Sequence, residues 1–243
     1  MSNELFLAIL YMGMVVSSFF LLYFCIRIIK ITKGSNKGWL FYGLFGVTNG
    51  IVSIAGIFPR VVTEPMVVNI AYSIQSFLLF IETFFIIIGI TILAEVFGLE
   101  SKVFSRRNVL VVMVLSFFTI LGFAGTISPL KMYSIVSMVL VIGLVLTMFP
   151  VWNIMKTTKK LPWKLLVASH IMSMISLYLI FASLGCCAGP IDDPACHPGD
   201  YLVIPAPCSG TFVTGFPIYL MGLLIGTWLL TGSFYYLYKG LKI

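Results

Sequence analysis

Charged residues are scarce. Lys and Arg number 15 and Asp and Glu 8 in a chain of 243 residues, 9% of the whole, against 60% hydrophobic residues. A soluble domain of this length needs a polar surface that such a composition does not supply. Soluble folds are therefore excluded, in keeping with a mean hydropathy of +1.10. Histidine is also rare, and of the two in the chain only His170 falls in an apolar run. A b-type haem held by two axial histidines of a helix bundle is thereby excluded, and no cofactor is expected. The last apolar run has no lysine at mid-membrane, since Lys239 stands at its end, so a retinal Schiff base has no support. HExxH, GxSxG and paired aspartates within the apolar runs are absent, which leaves catalysis without familiar residues. No Lys or Arg precedes the first run and no small-residue cleavage site follows it, so it reads as a retained span and not as a signal peptide.

What is present is a series of long apolar stretches. In lipid the backbone must satisfy its own hydrogen bonds, and runs of about 20 residues do so as helices, whereas the alternating ten-residue pattern of a barrel is missing. The class is all-α, a polytopic membrane bundle forming a single membrane domain over residues 1–243. The pattern predicts seven spans: Leu5 to Ile29, Trp39 to Phe58, Met66 to Phe97, Val109 to Ile127, Met132 to Ile154, Leu165 to Leu184 and Thr211 to Tyr238. Cations test that count. The first, third and fifth connections and the C-terminus carry Arg27, Lys30, Lys33, Lys37, Lys102, Arg106, Arg107, Lys156, Lys159, Lys160, Lys164, Lys239 and Lys242, and only Arg60 and Lys131 fall on the other side. The positive-inside rule then predicts an N-terminus outside and a cytoplasmic C-terminus in a multi-pass protein of the cell membrane. The net charge of +7 is an orientation signal, and no nucleic-acid partner is expected; the expected surroundings are the lipid bilayer.

Two connections resemble each other. Ile28-Ile29-Lys30-Ile31-Thr32-Lys33 is echoed by Ile154-Met155-Lys156-Thr157-Thr158-Lys159, and each precedes a Trp, Trp39 or Trp163, that opens the next span. This suggests two parallel three-helix units joined by the fourth span, a 3+1+3 plan. Basic loops followed by an interfacial Trp also arise without duplication.

The longest run, Met66 to Phe97, has a carboxylate near its midpoint, Glu82. A carboxylate there is costly and is rarely left facing lipid. Tyr72, Gln75, Ser76, Leu79, Glu82 and Thr83 fall on one helical stripe, which should face other helices or a water-filled cavity. Asn49, in the second span, lies at matching depth, so the expected intramembrane polar cluster is Glu82 hydrogen-bonded to Thr48 or Asn49, with Gln75 extending it outward. His170 lies about 7 Å from the inner edge of its span and is read as a hydrogen-bonded packing residue. Glu82 admits two readings: a proton, cation or solute site, or a protonated carboxyl that holds helices in register.

Small residues mark packing faces. Gly43, Gly46, Gly50, Ser53 and Gly56 form a strip on the second span, Ser169, Ser173, Ser176 and Ser183 one on the sixth, and Gly215, Gly222 and Gly226 one on the seventh. Internal packing is the expected use of these strips, and docking of other membrane subunits the alternative.

Between the sixth and seventh spans the composition changes to a Cys- and Pro-rich loop, residues 186–210, predicted to be extracytoplasmic. It holds Cys186, Cys187, Cys196 and Cys208, four of the five cysteines. An even number in an oxidising compartment reads as disulfides. Cys186 and Cys187 are poorly placed to join each other, because adjacent Cα atoms stand about 3.8 Å apart. Cys187 with Cys196 inside Cys186 with Cys208, or the crossed arrangement, remains. The alternative is a metal site formed from Cys196, His197, Asp192 and Asp193, although the spacing matches no familiar zinc pattern. For function the sequence supports a non-catalytic sensor module or accessory subunit of a larger membrane complex. The alternative is a small-solute or proton-coupled transporter using Glu82.

Overall fold

The computed structural model describes residues 3–34, 37–62, 64–98, 129–185 and 206–241, together with Val111, Val114 and Phe118, which are helical and exposed. Within these residues lie six helices: α1 (Asn3–Ile31), α2 (Gly38–Val61), α3 (Pro65–Val96), α4 (Pro129–Thr158), α5 (Leu161–Gly185) and α6 (Ala206–Leu241). Five of the six are long and apolar enough to cross a membrane, the pattern of a multi-pass membrane protein. The predicted span from Val109 to Ile127 falls outside the described residues apart from those three positions.

Local chemistry explains the helix ends. Pro65 opens α3 and Pro162 lies in the first turn of α5, where a missing N–H is not needed. At the far end of α1 the chain turns left-handed at Lys33 (φ 50°) and Gly34 (φ 70°), and Gly34 N–H reaches back to the Ile29 carbonyl at 3.0 Å. The end of α4 is built alike, with Lys159 at φ 53° and its N–H on the Met155 carbonyl at 2.8 Å.

The helices form a closed ring. Each packs chiefly on its two neighbours in chain order, and α6 returns to α1. Neighbours run antiparallel within each set of three. Along α1–α2, Cys25 faces Gly43 while Tyr11 faces Gly56; along α2–α3, Tyr42 faces Gly89 while Val52 meets Gln75. Along α5–α6, Ser176 faces Gly222 while Leu165 faces Gly232. The two seams joining the sets are parallel. Tyr72 meets Tyr133 and Thr83 faces Gly143 between α3 and α4, while Ser17 bonds Thr231 and Phe24 meets Tyr238 between α6 and α1. The sets match in helix length, with 29, 24 and 32 residues in the first and 30, 25 and 36 in the second. Trp39 meets Phe234 edge-on at 5.7 Å, and Trp163 meets Phe97 edge-on at 5.3 Å.

This arrangement collects Lys30, Lys33, Lys37, Lys156, Lys159, Lys160, Lys164 and Lys239 at one end of the ring, all exposed. Outward faces stay apolar, as Phe19 (66% exposed) and Ile218 (68%) illustrate, which suits contact with lipid tails.

The small-residue strips are used inside the ring. Gly46 and Gly50 let α2 approach Ser18 on α1, and the α6 glycines receive the α5 serines. A Cβ at Gly226 would stand 2.6 Å from Ser173 Oγ, and Ser169 Oγ donates to the Gly226 carbonyl at 2.7 Å. Gly46, Gly50, Gly222 and Gly226 are thus in use for contacts within the ring.

Candidate functional site

The ring closes around an elongated cavity to which all six helices contribute. Its volume is about 70 Å³ of space open to the centres of water-sized molecules. Lining residues run from Tyr42 to Ser53 on α2 and from Tyr133 to Leu144 on α4, so the cavity extends along about 15 Å of helix axis. The surface of the wall is mainly apolar. Its polar groups are Glu82, His170, Asn49, four hydroxyl-bearing serines and threonines, and the tyrosines Tyr11, Tyr42 and Tyr133.

Helix α3 brings Glu82 inward because the polar stripe drawn from the sequence is the buried one: Gln75, Ser76, Leu79, Glu82 and Thr83 are all buried. Thr83 satisfies its hydroxyl on the Leu79 carbonyl at 3.1 Å and Ser76 on that of Tyr72 at 2.7 Å, so both remain inside without outside partners.

The predicted bonding within this cluster is corrected. Asn49 Nδ2 donates to Ser18 Oγ at 2.8 Å, and Ser18 in turn donates to the Met14 carbonyl at 2.8 Å. Thr48 Oγ1 donates to its own helix, on Phe45 at 3.0 Å and Leu44 at 3.1 Å. Gln75 Nε2 donates to the Val52 carbonyl at 3.2 Å. Asn49 and Glu82 share the cavity wall, whereas Thr48 and Gln75 do not line it. Matching depth did not imply bonding, because rotation of α2 turns the Asn49 amide toward α1.

Glu82 is 1% exposed, and its Oε1 has no hydrogen-bond partner among the described residues. His170, 3% exposed, places Nδ1 2.9 Å from the Leu166 carbonyl. A carbonyl only accepts, so Nδ1 carries the hydrogen and Nε2 presents a lone pair in the neutral ring. That Nε2 is also buried without a partner. His170, read from the sequence as a hydrogen-bonded packing residue, thus makes one hydrogen bond through Nδ1 and leaves Nε2 over. Helix α5 starts at Leu161, four residues before the predicted span, which puts His170 about 13 Å from the helix end, and His170 lines the cavity that Glu82 also lines.

Tyr42 is a site residue that sequence reasoning missed. Its side chain is fully buried in the cavity wall, and its hydroxyl has no partner among the described residues. Three residues from Trp39, it reads in the sequence as part of an interfacial aromatic belt. The usable signal was a Tyr where a Phe would satisfy an apolar wall.

Cys186, Cys187, Cys196, His197, Asp192 and Asp193 lie outside the described residues. Cys208 stands on α6, which begins at Ala206 within the stretch predicted as loop. Among the described residues no three of His, Cys, Asp and Glu gather as a metal-binding set. No family model, curated protein or solved structure matches the chain.

Proposed function

We propose that the protein is a proton-coupled carrier of a small solute, with the central cavity as the solute site and Glu82 as the group that exchanges the proton. The observation that carries this reading is the unpartnered Glu82 Oε1 in a cavity walled by all six helices. A carboxyl retained to hold helices in register would be expected to bond a neighbouring polar group, and the amide of Asn49, on the adjacent helix, is bonded to Ser18 instead. His170 Nε2 and the Tyr42 hydroxyl, unpartnered in the same wall, support it. The accessory-subunit reading draws no comparable support, since an inert module needs neither a cavity nor unbonded polar atoms within it.

The same proposal includes the topology. Helix α3 ends at the basic end of the ring and α4 starts at the opposite end, so these two helix ends stand a crossing apart. A span from Val109 to Ile127 would supply that crossing and complete seven, in the 3+1+3 plan. The matched helix lengths, the paired Trp contacts and the left-handed Lys33 and Lys159 favour duplication. The cationic end is taken as cytoplasmic in the cell membrane, which puts the 186–210 loop and its proposed disulfides outside.

Solute-driven proton movement in liposomes tests the reading, with small neutral, anionic and cationic solutes added outside in turn. For parent protein at least one solute is expected to move protons faster than in protein-free vesicles, and Glu82→Gln to lose most of that response. An equal response in parent and variant, or none in the parent with any solute, would overturn it.

A further inference from the structure

The geometry points to a small organic ammonium ion as the solute of this cavity, an inference that rests on the carrier reading. Among the described residues its wall contains one carboxyl, Glu82, and no Lys or Arg. An anion would sit beside that carboxyl uncompensated, and a purely apolar solute would leave Glu82 Oε1 and His170 Nε2 as unbonded as before. Both atoms accept hydrogen bonds when the imidazole is neutral, and a primary ammonium brings three donors and no acceptor. Tyr11, Tyr42, Phe45 and Tyr133 belong to the same wall, and aromatic rings attract a cation placed over them. Aliphatic residues such as Leu140 and Leu144 take the hydrocarbon part. The cavity, about 70 Å³ of space open to the centres of water-sized molecules, suits a small amine.

Proton coupling follows from occupancy. The ammonium ion and the proton compete for one Glu82 carboxylate, so an ammonium that binds the protonated protein displaces one proton. No bond other than that O–H is broken, and charge balances when the proton leaves as the cation arrives.

The test uses detergent-purified full-length protein and three probes of matched size: n-butylammonium, butyrate and 1-butanol. Butylammonium is expected to raise the thermal unfolding midpoint by several degrees while the other two do not, because a ligand that binds only the folded state stabilises it. Glu82→Gln is expected to lose the shift, and Glu82→Asp, which keeps the charge on a shorter stem, to retain the order of the probes with a smaller shift. If Glu82→Gln does not fold, the probe order in the parent and in Glu82→Asp decides the matter. No shift with butylammonium, an equal shift with butyrate or butanol, or a full shift in Glu82→Gln would each overturn the ammonium assignment. Proton movement in liposomes is also read with neutral and anionic solutes, so a carrier that moves protons with one of those but ignores butylammonium would overturn this inference and leave the carrier reading standing.

Discussion

Asn49 Nδ2 donates to Ser18 Oγ at 2.8 Å, across the α1–α2 seam and away from Glu82. The amide that could have answered the buried carboxyl is thereby engaged elsewhere, and the carboxyl is left to the cavity. A double-mutant cycle on Asn49→Ala and Ser18→Ala should give a coupling of about 0.6–1.5 kcal/mol, the range for hydrogen bonds between membrane helices. The same cycle between Asn49→Ala and Glu82→Gln should give a coupling near zero. Equilibrium unfolding in mixed micelles checks both, and strong coupling to Glu82 would contradict the bonding described.

Close approach at the glycines separates two substitutions of identical chemistry. A Cβ at Gly56 would collide with the Tyr11 ring and with the Gln75 amide, while one at Gly50 would meet only the Ser18 Cβ, at an ordinary 3.5 Å. Gly50→Ala should be neutral or stabilise by up to about 1 kcal/mol through helix propensity. Gly56→Ala should destabilise by about 1–3 kcal/mol through overpacking. Thermal unfolding of the two variants side by side decides; equal effects would mean that α1, α2 and α3 are not packed as described.

Unpartnered groups in the cavity wall predict that stability and activity move in opposite directions. Tyr42→Phe removes a buried hydroxyl that bonds nothing among the described residues, and should leave stability unchanged or raise it by up to about 1 kcal/mol. Glu82→Met, which replaces a buried carboxyl by an apolar chain of similar length, should raise stability by about 1–3 kcal/mol while removing proton flux. A loss of stability in both variants would show that these groups hold the bundle together.

Topology is checked by labelling. A membrane-impermeant amine reagent applied to intact cells should spare the lysines of the basic end, including Lys159 and Lys160, and label them after the membrane is opened. Non-reducing mass spectrometry should find Cys186, Cys187, Cys196 and Cys208 in two disulfides. Four free thiols would remove the disulfide proposal, and labelling of Lys159 in intact cells would invert the orientation.

The helices were legible because length and apolarity alone define them. The six predicted spans that fall on described residues match helices with ends shifted by one to five residues, and the early starts of α5 and α6 take in a Pro at the second position of each helix, Pro162 and Pro207. The inward stripe of α3 was legible for the same kind of reason, since Gln75, Ser76, Glu82 and Thr83 are polar against an apolar background. Ring closure was not legible: α1 is apolar on nearly every side, so its sequence does not say that it packs on both α2 and α6. Nor was the choice of partner for Asn49. Depth follows from counting residues at about 1.5 Å each, but the rotation that turns Asn49 to Ser18 is set by how Gly46 and Gly50 seat α2 on α1. The unpartnered His170 Nε2 depends on where α5 begins, which Pro162 permits but does not dictate.

The most direct measurement is hydrogen–deuterium exchange at the Glu82 carboxyl, read in the infrared difference between parent protein and Glu82→Gln after transfer to D2O. A cavity that water and protons reach predicts a carboxyl band present only in the parent and shifted by deuterium within minutes. A band that keeps its unexchanged position for hours would mean a dry, sealed carboxyl and would contradict the account of a working central site.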